Sequence, residues 1–132
     1  MTANSLVLAM AAHVAWTSTL YALLTVARAP SVWGLFQNDD GTNPWSRYES
    51  RVSANLRNQF EWPLFFYVIC LLELQQTLPP DSIQSVLAWG FVAGRLLHTA
   101  VQILSDNVRL RGMVFTVNFV AVLAMWARFL HT

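Results

Sequence analysis

The second long apolar stretch of the chain begins with side chains that could recognise a charged ligand. On a helix, Asn58, Glu61 and Trp62 are three and four residues apart and share one face. Glu61 lies about ten residues into this stretch, or roughly 15 Å along a helix. An ionisable group at that depth is costly and usually faces a partner or a wet cavity. We predict that Glu61 contacts a ligand; structural pairing, for which Arg57 is adjacent on the helix, is the alternative.

Two further stretches carry polar residues at helical spacing. Arg95, His98 and Gln102 lie on one face of the third stretch. Taken alone, this face favours a network of hydrogen bonds between helices. Arg111 lies in the first turn of the fourth stretch, and Gly112 beside it leaves room for a ligand or another backbone. Arg111 alone fits equally well as a positively charged anchor at the membrane surface.

The order of the stretches predicts that these faces converge. In an antiparallel arrangement, the start of the second, the end of the third and the start of the fourth lie at one membrane surface. The cluster would then contain Arg57, Asn58, Glu61, His98 and Arg111. Arginine forks match carboxylates, and a glutamate matches an ammonium group. The cluster therefore indicates a site for a small molecule that carries both kinds of group.

The composition indicates that lipid surrounds these elements. Of the 132 residues, 55% are hydrophobic and only 11% are charged, whereas soluble domains carry about a quarter charged residues. Four apolar stretches, at about 5–27, 52–78, 82–104 and 108–130, are each long enough to cross roughly 30 Å of hydrocarbon as a helix. None shows the alternation of a strand. We predict an all-α polytopic membrane protein, with residues 1–132 forming a single antiparallel four-helix transmembrane bundle.

The connections predict the orientation of the bundle. Pro79-Pro80 should end the second stretch, and Asp81 should cap the third. Arginines are concentrated around the loops after the first and third stretches: Arg28, Arg47, Arg51, Arg57, Arg109 and Arg111. We therefore expect those loops in the cytoplasm and both termini on the other side. We expect the first stretch to be a retained helix. The lack of a targeting segment and the use of Arg without Lys favour a bacterial inner membrane.

Several other classes of function receive no support. A net charge of +1 gives no reason to expect a nucleic-acid partner. Asp39 and Asp40 fit a solvated turn and lack the spacing of a calcium loop, so we predict no metal site. Cys70 lies inside an apolar stretch and is expected to pack there. A transporter or channel is disfavoured because we see no internal repeat and expect no helix broken in mid-membrane.

Two blocks of the sequence resemble the MAPEG superfamily, the membrane-associated proteins of eicosanoid and glutathione metabolism. The similarity is to its microsomal glutathione transferase and prostaglandin E synthase branch. The first block runs over residues 51–65 and includes Arg57-Asn58, Glu61 and then Pro63-Leu64-Phe65. The second runs from Arg95 to Thr99 and continues with Arg111 and, four residues later, Phe115.

The resemblance implies a homotrimer of four-helix subunits that binds glutathione between neighbouring subunits near the cytoplasmic surface. The expected glutathione-binding residues are Arg28, Arg51, Arg57, Asn58, Glu61, His98 and Gln102. Arg111 matches the arginine that the family places beside the glutathione sulfur, and we expect it to be the catalytic residue. A fixed cation at that place would lower the pKa of the thiol and raise its thiolate fraction.

Four positions depart from the pattern of the family. Ala54 stands where the family has an arginine, Gln102 where it has a tyrosine, and Gly112 where the prostaglandin synthase has a serine; Phe115 lacks a tyrosine hydroxyl. The first hypothesis is a glutathione-dependent transferase or peroxidase acting on a lipophilic electrophile that enters from the bilayer. The departures motivate a second hypothesis, a non-catalytic lipid-binding or scaffold subunit of a membrane complex.

Overall fold

The computed structural model describes residues 2–131, which contain five helices and no strand. The helices are α1 (Thr2–Trp33), α2 (Ser46–Asn58), α3 (Pro63–Leu74), α4 (Ser82–Leu104) and α5 (Val108–His131). Residues 1 and 132 of the predicted domain lie outside the described residues. By length and composition, α1, α4 and α5 could each cross a membrane.

Ion pairs and packing show how the helices run. α4 packs along α5, and α1 packs against α2 and α4. We call one end of the molecule, with residues 34–45 and 105–107, the loop end; there Arg47 Nη2 lies 2.8 Å from Asp106 Oδ2, and Arg51 pairs with the same carboxylate. We call the other end, with residues 75–81, the turn end; there Arg128 pairs with Asp81. The start of α2, the end of α4 and the start of α5 therefore meet at the loop end.

The second predicted stretch, 52–78, is two helices rather than one. α2 ends at Asn58, and α3 begins at Pro63. Around this break, backbone hydrogen bonds join residues that are three apart, as in a turn. Pro63 has no N–H, and its ring excludes the carbonyl four residues earlier, so a helix cannot continue through this point undisturbed. The expectation of an unbroken helix is therefore wrong. Glu61 lies in the break and not on a helical face.

The other helix boundaries lie closer to the expected ones. α1 extends beyond the predicted 5–27, because Pro30 is accommodated near its end and the left-handed Gly34, with a φ of 66°, follows the helix. Asp81 caps α4 as predicted, since its side chain accepts a hydrogen bond from the backbone N–H of Gln84 at 2.7 Å. That bond, assisted by Arg128, lowers the pKa of Asp81 below its usual value.

The interior has two apolar clusters with polar side chains between them. The larger cluster joins α1, α3, α4 and α5, and in it the rings of Phe66 and Phe91 stack with centroids 4.2 Å apart. The smaller cluster contains Leu20 and Leu24 of α1 with Val52 and Leu56 of α2. Buried polar residues of α1, α2 and α4 occupy the level between these clusters, next to the site described below.

Candidate functional site

A cleft of about 450 Å³ opens at the loop end between α2, α4 and α5. The end of α2 contributes Asn58, and α4 contributes His98 and Gln102, one turn apart. The first turns of α5 contribute Arg111 together with Val108, Gly112 and Phe115. Asn107 fixes the start of α5, because its side chain accepts a hydrogen bond from the backbone N–H of Leu110 at 3.0 Å. The cleft therefore brings together four residues that the sequence predicted as one site: Asn58, His98, Gln102 and Arg111.

Arg111 presents a charged group to this cleft. Its side chain is exposed, and its guanidinium forms no hydrogen bond or ion pair with any residue in the described range 2–131. A Cβ added at the neighbouring Gly112 would meet no atom within 4 Å, so the space beside Arg111 is open. An unpaired arginine beside open space is suited to binding an anion.

His98 supplies a buried polar atom in the same cleft. The side chain is 2% exposed, and its Nδ1 has no hydrogen-bond partner among residues 2–131. Its ring contacts Phe115 with centroids 6.1 Å apart, and the positive charges of Arg95 and Arg111 both act on it. A buried nitrogen without a partner is costly unless a ligand or water completes its hydrogen bonding.

Gln102 belongs both to the cleft and to a buried hydrogen-bond network. Its Oε1 accepts from Asn55 Nδ2 at 2.8 Å and from Asn58 Nδ2 at 3.4 Å. Thr99 donates to Asn55 Oδ1 at 2.9 Å, and Gln59 Nε2 donates to the same oxygen at 3.0 Å. The network between helices that the polar face of α4 suggested is therefore present, and Gln102 is one of its members.

The network continues to α1 and to Arg95. Gln59 Oε1 lies 3.0 Å from Nε2 of His13, whose Nδ1 lies 2.7 Å from the Tyr67 hydroxyl. Arg95 is fully buried; it donates from Nε to Gln59 Oε1 at 3.1 Å and from Nη2 to the backbone carbonyl of Asn58 at 3.0 Å. Arg95 thus satisfies a carbonyl that the helix break would otherwise leave unpaired in a membrane.

Two other predicted binding residues pair within the chain. Arg28 Nε lies 3.0 Å from Glu49 Oε1. Arg51 pairs with Asp106 and donates to the backbone carbonyl of Ile103 at 2.8 Å. Arg51 nevertheless lines a cavity of about 260 Å³ that adjoins the cleft, because Gln102, Val108 and Arg111 line both.

Arg57 and Glu61 lie apart from the cleft. Both are exposed, neither lines it, and no hydrogen bond or ion pair joins them within residues 2–131. The pairing that their spacing of four predicts requires a continuous helix, and α2 ends at Asn58. The predicted adjacency of Arg57 and Glu61 on a helix is therefore wrong.

Comparison with known proteins identifies the family. The family model described as "MAPEG family" matches residues 6–131. The chain belongs to the MAPEG family. This confirms the resemblance, and the family includes glutathione transferases and related membrane proteins. Together with its apolar helices, the match shows that the chain is an integral membrane protein in contact with lipid. No curated protein and no solved structure gives a significant match.

MAPEG membership suggests a test of whether the two joined cavities suit glutathione, a tripeptide with two carboxylates, one ammonium and one thiol. Arg111 supplies a cation, Arg51 supplies a second cation that already pairs with Asp106, and His98 Nδ1 supplies a polar atom without a partner among residues 2–131. Ala54, where the family has an arginine, lines the smaller cavity and leaves room there. In the described part of the chain, Asp106 is the only acid that lines either cavity, and it already pairs with Arg47 and Arg51. The residues therefore fit the carboxylates and the thiolate, and leave the ammonium group to residues outside the cavities.

The sequence predicted only some of the buried residues at this candidate site. Asn55, Gln59 and Thr99 were not among the predicted site residues, although all three are buried and bonded to one another. Asn55 and Gln59 are four residues apart, which was the available signal. His13 was visible as the single ionisable residue of its stretch, but its partner Tyr67 lies 54 residues away and no local pattern links the two.

Proposed function

We propose that this protein is a glutathione-dependent membrane transferase or peroxidase that acts on lipophilic electrophiles. The observation that carries the proposal is the unpaired guanidinium of Arg111, which opens into a cleft beside buried His98 and open space at Gly112. Family membership supports it, because the family includes glutathione transferases. The lipophilic substrate would reach the cleft from the surrounding lipid.

The chain's own residues would act mainly through charge and position. Glutathione, when bound, supplies a thiol nucleophile. Arg111 would stabilise the deprotonated sulfur, and the thiol proton would pass to water at the open mouth of the cleft. Lowering a thiol pKa by one unit requires about 1.4 kcal/mol of differential stabilisation, which is within reach of a single nearby cation. Asn58, His98 and Gln102 would orient the tripeptide, and Arg51 would attract a carboxylate.

A homotrimer would complete the site. Arg57 and Glu61 are exposed charged residues of an apolar protein and form no side-chain hydrogen bond or ion pair among residues 2–131, although the charge of Glu61 acts on the buried Arg95. A charged side chain in a membrane protein is costly unless a partner or a wet cavity compensates its charge. We propose that they reach the cleft of a neighbouring copy, where Glu61 would pair with the ammonium of glutathione and Arg57 with a carboxylate. Arg28, which pairs with the partly buried Glu49, would contact glutathione at the rim of the cleft.

A matched pair of arginine variants tests the proposal. Arg111→Ala should abolish the ultraviolet absorbance of bound thiolate and reduce conjugation with chlorodinitrobenzene at least about 100-fold, the scale of losing a group that stabilises charge in the reaction. Arg109→Ala removes the same charge from the same turn but does not line the cleft, so it should retain most of both signals. Equal loss in the two variants would show that Arg111 acts only as a surface anchor. Absence of any thermal stabilisation of the wild-type protein by millimolar glutathione would overturn the proposal.

The alternative is a non-catalytic lipid-binding or scaffold subunit. One observation favours it: an apolar cleft of about 440 Å³ lies between α3 and α5, lined by Trp62, Leu64, Phe65, Val68, Leu123 and Trp126. In that case the purified protein would carry a lipid or a protein partner and would conjugate no standard electrophile. Native mass spectrometry combined with the conjugation assay separates the two functions.

A further inference from the structure

A second polar cavity lies at the turn end, the opposite end of the molecule from the glutathione cleft. Its volume is about 310 Å³, and it lies among the end of α3, the start of α4 and the last turns of α5. Glu73 and Gln84 form its polar floor, and Leu78, Pro80 and Phe129 are among its apolar walls. None of its lining residues belongs to the proposed glutathione site.

Glu73 places a carboxylate in this cavity, where the two acids, Glu73 and Asp81, outnumber Arg128, the one cation among the lining residues. The residue is 7% exposed, and no Arg or His among residues 2–131 pairs with it. The other acid of the cavity, Asp81, pairs with Arg128. A buried carboxylate is stable only when a partner or hydrogen bonds compensate it, and residues 2–131 supply one donor, the side-chain amide of Gln84.

Gln84 adds a second acceptor that has no donor. Its side chain is 3% exposed. Nε2 donates to the carboxylate of Glu73 and to the backbone carbonyl of Met125, the latter at 3.1 Å, which uses both of its protons. Oε1 is therefore the carbonyl oxygen of the amide, and it has no hydrogen-bond partner in the described part of the chain. A glutamine three residues after an N-cap often bonds back to the helix start; here the side chain reaches into the bundle and helps to form the cavity.

We propose that this cavity binds a protonated primary amine. An ammonium group carries one positive charge and three N–H donors, which match the carboxylate of Glu73 and an unpartnered carbonyl oxygen. The cavity has several times the volume that one water occupies in the liquid, roughly 30 Å³, so it admits a group of the size of ethanolamine. Its apolar walls suit the carbon atoms next to the nitrogen. Such an amine could be the headgroup of an aminophospholipid or a free small molecule.

Ethanolamine and choline distinguish this recognition from a general effect of cations. Both carry one positive charge, but the quaternary nitrogen of choline has no N–H donor. Ethanolamine chloride should raise the melting temperature of the detergent-solubilised wild-type protein in a saturable manner, whereas choline chloride and sodium chloride at equal concentration should not. Equal shifts with all three salts, or no shift with ethanolamine, would overturn the proposal.

A charge-removing variant with a matched control locates the site. Glu73→Gln removes the carboxylate and nearly preserves its shape, so the shift produced by ethanolamine should disappear. Asp39→Asn removes one negative charge from the exposed first loop and should leave that shift intact. A full shift in a folded Glu73→Gln protein would refute the assignment. If this variant does not fold, the salts applied to the wild-type protein still decide the question.

The source of the amine is tested in vesicles. Protein reconstituted in phosphatidylethanolamine should retain that lipid in native mass spectra in preference to phosphatidylcholine, and Glu73→Gln should remove the preference. That result would identify the lipid headgroup as the ligand. No preference, together with a specific ethanolamine shift, would identify a free amine as the ligand.

Discussion

Asn118 is fully buried in α5, and neither its side-chain oxygen nor its side-chain nitrogen has a hydrogen-bond partner within residues 2–131. It faces Gly94 of α4, where an added Cβ would lie 2.0 Å from the Asn118 Oδ1. Lipid provides little hydrophobic drive for helices to associate, so close packing at small residues is what holds them together. The approach of α4 to α5, on which the cleft between His98 and Arg111 depends, therefore relies on the missing side chain at Gly94.

We expect Gly94→Ala to lower the free energy of unfolding by about 1–3 kcal/mol, the usual cost of overpacking. Gly90→Ala is the control, because a Cβ there would meet no atom within 4 Å. That variant should be neutral or stabilising by up to about 1 kcal/mol, since alanine is the better helix former. The measurement is unfolding in detergent monitored by circular dichroism. A Gly94→Ala protein as stable as the Gly90→Ala protein would contradict the close approach.

Individual residues could be predicted where a helical face is continuous. Arg95, His98 and Gln102 were expected on the interior face of one helix, and all three are buried there. Glu61 was misplaced because the spacing rule assumes an unbroken helix, and Pro63 removes that condition. The contact between Gly94 and Asn118 joins two helices, so no spacing within either one reveals it.

The break between α2 and α3 is the element on which the site depends most. It directs the side chain of Asn58 into the cleft and leaves its backbone carbonyl to Arg95. The proline that causes the break was visible in the sequence. Its effect was not, because a proline at the first turn of a new helix and a proline within a kinked helix look alike. α4 could be predicted from 82 to 104, since Asp81 marks its start and the polar residues 105–107 mark its end.

Arg95 should be essential for the stability of that break. We expect Arg95→Met to lower the free energy of unfolding by about 2–4 kcal/mol, because two hydrogen bonds from a charged donor are lost. Arg57→Met removes an exposed arginine near the end of the same α2 helix and should change stability by less than about 0.5 kcal/mol. Thermal unfolding of both variants in the same detergent provides the comparison. Similar melting temperatures for the two would mean that the break is held in another way.

At the scale of the whole molecule, the positive and negative side chains proposed to bind glutathione lie at separate places on a single chain. Arg51 and Arg111 face the joined cavities, whereas Arg57 and Glu61 are exposed elsewhere. The sequence indicated the family and a membrane protein, because both follow from local blocks and composition. How copies assemble depends on the shapes of surfaces that form only after folding, so the trimer remains a proposal.

Mixed assemblies test whether copies share a site. Arg111→Ala and Glu61→Gln should each be nearly inactive when expressed alone. If the two residues act across an interface, co-expression should restore roughly a quarter of the wild-type activity. With random mixing in a closed ring, about a quarter of the interfaces have an intact Arg111 on one subunit and an intact Glu61 on its neighbour. Mixing the two proteins after separate purification should restore none if subunits do not exchange. Mixed trimers that form but remain inactive would place both residues in one subunit.

The division of the second stretch also bears on how the chain enters the bilayer during synthesis. α2 carries Arg47, Glu49, Arg51 and Arg57, and α3 is an apolar segment of only 12 residues. A segment that short falls below the roughly 20 apolar residues that insertion machinery accepts as a span. α3 should therefore be poorly retained when it emerges from the ribosome alone. Its stable insertion should wait for α4, joined to it by the Pro79-Pro80 turn, so that the two enter together as a hairpin.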